Sequence, residues 1–208
     1  MANSLLCDGP EDAPLTLALA HGAGAPMDHP FMETVARGVA AAGFRVVRFE
    51  FPYMARRRAD GRKCPPDREP VLREAFAEVT DRLGRGRLVI GGKSMGGRIA
   101  SMMADGLGVR GLVCLGYPFH APGRPERVRA DHLRDIKTPT LIVQGERDPF
   151  GTREEIAGYT LGRNVEVHLL PDGEHSFKPR KKSGHTEAGN LAEAVATVAA
   201  FLAKIASR

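Results

Sequence analysis

The 208-residue sequence predicts an α/β fold, a mostly parallel six-stranded sheet with helices on both faces, in a single domain spanning residues 1–208. Two observations carry this. Strand-length apolar runs alternate strictly with helix-length stretches, and that order means parallel strands joined by right-handed crossovers. The runs also lack polar–apolar alternation, as strands do when both faces of the sheet are covered.

In chain order, residues 1–14 read as an irregular N-terminal segment, and LTLALA at 15–20 is the first strand. It runs into a glycine turn, and a helix is expected over 31–42. FRVVRF at 44–49 is the second strand, ending near Pro52. The basic stretch 52–70 reads as a loop that partly covers the strand ends, followed by a helix over 70–83. The third strand, 88–91, leads into a glycine-rich turn and a helix over 96–106. GLVCL at 111–115, TLIVQ at 140–144 and VEVHLL at 165–170 complete the six. Helices are expected over 127–133, 153–161 and 188–206. The last shows an apolar stripe at Leu191, Val195, Val198 and Leu202, spaced for one helical face. No repeat and no linker divides the chain.

Composition narrows the class. Hydrophobic content of 42% and charged content of 26% are ordinary for a soluble globular domain. No apolar run is read as approaching the roughly 20 residues a membrane span needs. The start, MANSLLCDGPEDAP, lacks a basic stretch and an apolar core, so no secretory or lipoprotein signal is expected. Cys7, Cys64 and Cys114 are far apart and form neither a disulfide framework nor a metal pattern. Cytoplasmic location, no metal and no cofactor are the expectations. The net charge of +5 comes from dispersed arginines without aromatic–basic motifs, so no nucleic-acid partner is expected.

The stretch VIGGKSMGG, residues 89–97, invites two chemistries. A phosphate-binding loop needs a glycine five residues before the glycine of GKS, and Arg87 stands there. A nucleophile elbow, G-x-S-x-G, fits in register as Gly92-Lys93-Ser94-Met95-Gly96. The elbow bends so tightly that side chains two residues from the serine would meet backbone, hence the glycines. A serine needs a base within hydrogen-bond reach, itself oriented by a carboxylate. Loops at the carboxyl ends of strands are where such groups meet. GERDPFG after residue 144 offers Asp148, with Glu146 as an alternative acid. PDGEHSF after residue 170 offers His175, with Asp172 a further alternative acid and His185 a competing base. His21 opens a glycine loop and reads as a structural hydrogen-bonder.

Taken in order, HGAGA, GKSMGG, GERDPFG and GEHSF resemble the small, cap-less α/β-hydrolase-fold enzymes of the dienelactone-hydrolase-like kind. The resemblance covers nearly all of the chain from Leu15 onward. It implies Ser94 as nucleophile, His175 as general base and Asp148 as its orienting acid. It further implies an oxyanion hole from the backbone N–H groups of Met95 and Ala23. The first two strands of larger relatives are read as missing. Residues 118–139 leave room for one helix and no large cap domain.

The expected activity is a serine hydrolase acting on a small ester, thioester or lactone through an acyl-enzyme. The alternative is a non-catalytic interaction module on the same fold. Two basic clusters, Arg56, Arg57, Arg58, Arg62 and Lys63, and Lys178, Arg180, Lys181 and Lys182, flank the expected site. They suggest a rim that steers an anionic substrate, with Lys93 and Arg57 as its contacts. The molecule is expected to be a monomer or a homodimer.

Overall fold

The structure, a computed structural model, describes residues 4–208. Its centre is a seven-stranded sheet in the order β1-β3-β2-β4-β5-β6-β7. The strands are β1 (Leu5–Asp8), β2 (Thr16–Ala20), β3 (Arg45–Phe49), β4 (Leu88–Lys93), β5 (Gly111–Leu115), β6 (Thr140–Gly145) and β7 (Val165–Leu170). All neighbours are parallel except β1, which runs antiparallel along β3 with Leu5 opposite Phe49.

The helices are α1 (Pro30–Ala41), α2 (Pro52–Asp60), α3 (Glu69–Leu83), α4 (Met95–Ser101), α5 (Ala104–Leu107), α6 (Arg153–Ala157) and α7 (Glu187–Ala206). α1 and α7 cover one face, where Phe31, Val35, Val39, Val198 and Leu202 pack on Leu17, Val89, Val113 and Leu141. On the other face, Phe76 and Val79 of α3 and Ile99 and Ala100 of α4 pack on Ala18, Ile90, Cys114 and Ile142. The two helices of the first face approach closely at Gly38, where an added Cβ would lie 2.6 Å from Val195. Start signals are local: the Thr186 side chain accepts from the Gly189 N–H, and Thr152 and Glu155 form a capping box.

Five expectations are corrected. The sheet has seven strands and not six, because Leu5–Asp8 lies in the segment read as irregular. Its side chains show no alternation, and pairing with β3 secures it, together with the Arg48–Asp8 ion pair at 2.9 Å. The stretch after β3 begins with helix α2 and is not a continuous loop; Pro52 opens it and Gly61, at φ 69°, ends it. The helix expected over 127–133 is reduced to a 3₁₀ turn, Asp131–Arg134. There the Arg129 N–H is taken by the Phe119 carbonyl, and the Arg129 carbonyl accepts from the Tyr117 hydroxyl. The helix expected over 96–106 breaks into α4 and α5. Finally, α7 is 20 residues with a mean hydropathy of 1.3, long and apolar enough by those measures to cross a membrane. In the fold its Ala194, Val198, Leu202 and Ile205 are core residues.

Candidate active site

The carboxyl ends of β2, β4, β6 and β7 meet around one cavity of about 350 Å³. β4 delivers Ser94 on a turn that only small residues permit. A Cβ on Gly92 would lie 2.6 Å from the Gly96 carbonyl carbon, and one on Gly96 would lie 2.6 Å from the His21 carbonyl oxygen. Ser94 itself sits at φ 50°, ψ −114°, a conformation that costs a non-glycine residue about 1–3 kcal/mol. Its N–H is held by the Leu115 carbonyl at 2.9 Å. The result presents Oγ at the cavity floor and the N-terminus of α4 directly behind it.

His175 follows β7, and its Nε2 lies 3.0 Å from Ser94 Oγ. Its Nδ1 lies 2.7 Å from Oδ2 of Asp148, which follows β6 and is fully buried. Buried carboxylates need donors. Asp148 receives the Phe150 N–H at Oδ1 (2.9 Å) and the Gln144 Nε2–H at Oδ2 (3.0 Å). Because Asp148 is ringed by donors, the Nδ1 nitrogen of His175 carries the proton and Nε2 is free to accept from the serine. The Phe150 ring lies 4.3 Å from the imidazole and shields it.

The loop after β2 faces the nucleophile. Gly22, Ala23, Gly24 and Ala25 line the cavity with Ser94 and His175. The loop is tied from below. His21 Nε2 accepts from the Phe51 N–H at 3.1 Å, so its Nδ1–H donates to the Gly22 carbonyl at 2.7 Å. Burial pushes the His21 imidazole below its usual range, which keeps this neutral tautomer. The Tyr53 hydroxyl donates to the Ala23 carbonyl at 3.0 Å. The Ala23 amide is thus carried on a braced loop, and the Met95 amide is the first of α4, without an intrahelical partner.

Ser94, His175 and Asp148 are therefore brought together; the alternatives are not. Asp172 is engaged by Arg180 and Arg147, and its carboxyl is held down at about 2 chiefly by the Arg180 guanidinium. Glu146 accepts from the Asp172 N–H and pairs with Arg153. His185 is exposed on the loop before α7. Of the basic rim, Arg56 pairs with Asp67, Arg58 with Glu50 and Asp28, and Arg57 reaches the Gly24 carbonyl at 3.4 Å. Lys93 is among the residues that line the cavity, and its Nζ is closed off from solvent.

Sequence reading missed Gln144, Tyr53 and Phe150. Gln144 was legible as the polar residue that ends the apolar run LIV in TLIVQ. Tyr53 gave no local signal, since it acts on a loop 30 residues away.

Comparison with known proteins bears on the fold and the family. A family model described as "Alpha/beta hydrolase domain" matches residues 13–203. A curated rat (Rattus norvegicus) protein named "Putative protein-lysine deacylase ABHD14B" is 32% identical over 116 residues, 55% of this chain and 52% of that protein. The chain thus spans about half the length of the curated relatives it matches. Among solved structures, a lidless α/β serine hydrolase from Xanthomonas campestris superposes with a TM-score of 0.68 at 21% identity, covering 96% of this chain and 88% of the other. A dienelactone hydrolase from Anabaena variabilis gives 0.73 at 21% identity, covering 96% and 90%. Those likenesses establish a shared fold, and the match across residues 13–203 establishes more: this chain belongs to the alpha/beta hydrolase domain family.

Proposed function

We propose that the protein is a serine hydrolase that cleaves an ester, thioester or lactone bond through an acyl-enzyme. One observation carries the reading: a continuous relay from Ser94 Oγ through His175 to a buried Asp148, with the serine on a strained elbow.

The chemistry follows from the atoms. Ser94 Oγ attacks the acyl carbonyl carbon as its proton passes to His175 Nε2. The carbonyl oxygen becomes an oxyanion between the N–H groups of Met95 and Ala23. Collapse expels the leaving oxygen or sulfur, which takes the proton from Nε2. Water, relieved of a proton by the same nitrogen, then attacks acyl-Ser94 and releases the acid. Asp148 holds the tautomer throughout.

The cavity wall of Phe31, Met32, Phe150 and the Ala23–Ala25 backbone suits an apolar, compact acyl group. Among the described residues no large insertion covers the cavity, so the leaving group is free to be bulky. That openness, with the name of the curated relative, favours a second reading in which the bond is the amide of an acylated lysine.

The test is intact-protein mass spectrometry after exposure to a fluorophosphonate. A single adduct on wild type, absent from Ser94→Ala and much slowed in His175→Ala, is expected. Equal labelling of all three proteins, or none on folded wild type, would sink the reading.

A further inference from the structure

The relay described above leaves one charge in the site without a task. Lys93 is the last residue of β4, directly before the nucleophile. Its stem runs past Gly22, with Cγ 3.6 Å from where a Cβ on that glycine would stand. Its Nζ lies 5.5 Å over the Phe31 ring, is closed off from solvent, and has no hydrogen-bond partner among the described residues. A buried lysine without partners is costly, and a methionine would fill the same space without that cost.

Its surroundings show what the charge faces. A Cβ placed on Gly116, at the end of β5, would stand 2.8 Å from Lys93 Nζ and 3.3 Å from His175 Nδ1. The ammonium and the imidazole therefore converge on one point, no more than about 6 Å apart. Every neighbouring element can be named. The loop after β6 contributes Asp148 and the loop after β7 contributes Glu174 and His175, both carboxylates acting on the lysine through space. α1 contributes the neutral Phe31 ring, with His29 at its N-cap on the cavity rim; the β2 loop and β5 contribute Gly22 and Gly116. Burial pushes the Lys93 amine down to about 8, and the two carboxylates pull against that. At neutral pH and below it is an ammonium.

A substrate anion is not what this ammonium meets, because Nζ sits beside Gly116 and His175 and is closed off from solvent. The Asp148 carboxylate, 2.7 Å from Nδ1, favours a protonated ring, which cannot accept from Ser94. A positive charge on the same side opposes that. We propose that Lys93 is a positioning residue of the hydrolase site, acting through His175: its buried ammonium offsets Asp148 and holds the imidazole in the unprotonated form that takes the serine proton. The inference rests on the Ser94–His175–Asp148 reading above. A unit charge at this distance, in a protein-like dielectric, moves a proton equilibrium by about one pH unit or more.

The test compares the pH profile of fluorophosphonate labelling from pH 5 to 9 for wild type, Lys93→Met and Lys93→Gln. In both variants the acidic limb should move up by about one unit. Labelling on the limb then falls about tenfold, and the gap closes above pH 8, where wild-type Lys93 itself loses its proton. Gln keeps a polar tip and Met an apolar one, so a shift common to both reports charge and not packing. Superimposable profiles, or a loss equal at every pH, overturn the role. A wild type that labels at no pH overturns the triad reading, and this role with it.

Discussion

The elbow at residues 91–97 and the basic segment at residues 51–68 both lie at carboxyl ends of parallel strands, and they are held by opposite means. In the elbow the constraints are steric and in part near in sequence: Gly92 is hemmed by Gly96 and Gly97, four and five residues on, and Gly96 in turn by the His21 carbonyl. In the basic segment they are electrostatic and distant. Arg58 reaches Glu50 and Asp28, Arg57 reaches Gly24, and Tyr53 reaches Ala23, over separations of 8 to 33 residues. The first kind of region writes its geometry into the local sequence. The second hides it, because a run of arginines looks the same whether it meets a ligand or the protein's own carboxylates.

The sharpest way to break this contrast is at the relay. Ser94→Ala or His175→Ala should each lower kcat by on the order of 10⁴-fold, and the double variant little further, since the residues act as one unit. Steady-state ester hydrolysis would check this. Losses that multiply would show that the two residues do not work together.

Next comes the frame of the elbow. Gly96→Ala would press a methyl group within 2.6 Å of the His21 carbonyl oxygen. Overpacking of this kind costs about 1–3 kcal/mol, and a 1 Å displacement of Ser94 about 10²-fold in rate. Denaturant unfolding and kcat/KM would be read together. A stable, fully active Gly96→Ala would mean that the turn is not sterically fixed.

Lys93→Met should act in the opposite direction on stability. The folded-state pKa of Lys93, about 8, lies below the 10.5 of a free side chain, so between those values the unfolded chain binds more protons. Wild-type stability therefore rises as pH rises from 8 to 10.5, and below pH 8 the buried charge imposes its full penalty. Replacing it should stabilise at pH 7 by up to about 3 kcal/mol, a figure already net of the attraction to Asp148 and Glu174, and the gain should fade above pH 8. A variant less stable at pH 7, or a gain that does not vary with pH, would contradict the assignment of a buried ammonium without a hydrogen-bond partner.

The same division explains what the sequence made legible. Ser94, Asp148 and His175 stand out because each lies on a short loop after an apolar strand, and the spacing of glycines around Ser94 admits one turn. The parallel core was legible for a similar reason: its strands are continuous apolar runs. β1 was not, because LLCD is too short to carry a pattern and exists as a strand through its pairing with β3. Nor was the burial of Lys93 Nζ, since nothing in GKSMGG says on which side of the sheet the side chain turns. It depends on Phe31 and Gly116, far away in the chain.

The smallest effects test the basic segment directly. Arg58 is half exposed, yet it is the partner of Glu50, whose side chain is 6% exposed. Arg58→Ala leaves that carboxylate buried with less compensation and should cost about 1–2 kcal/mol, with the discount that solvent imposes on an exposed guanidinium. Among the described residues Arg57 makes one long hydrogen bond, 3.4 Å to the Gly24 carbonyl, so Arg57→Ala should leave stability unchanged within about 0.5 kcal/mol. The two variants then separate structure from steering. Arg56 and Arg58 are already committed to Asp67, Glu50 and Asp28, so these two add little field to guide a substrate, and the salt dependence of kcat/KM for an anionic ester should change less than about twofold in Arg58→Ala. A tenfold salt dependence that vanishes in Arg57→Ala would show instead that this guanidinium meets substrate, and that the segment serves the cavity as well as the fold.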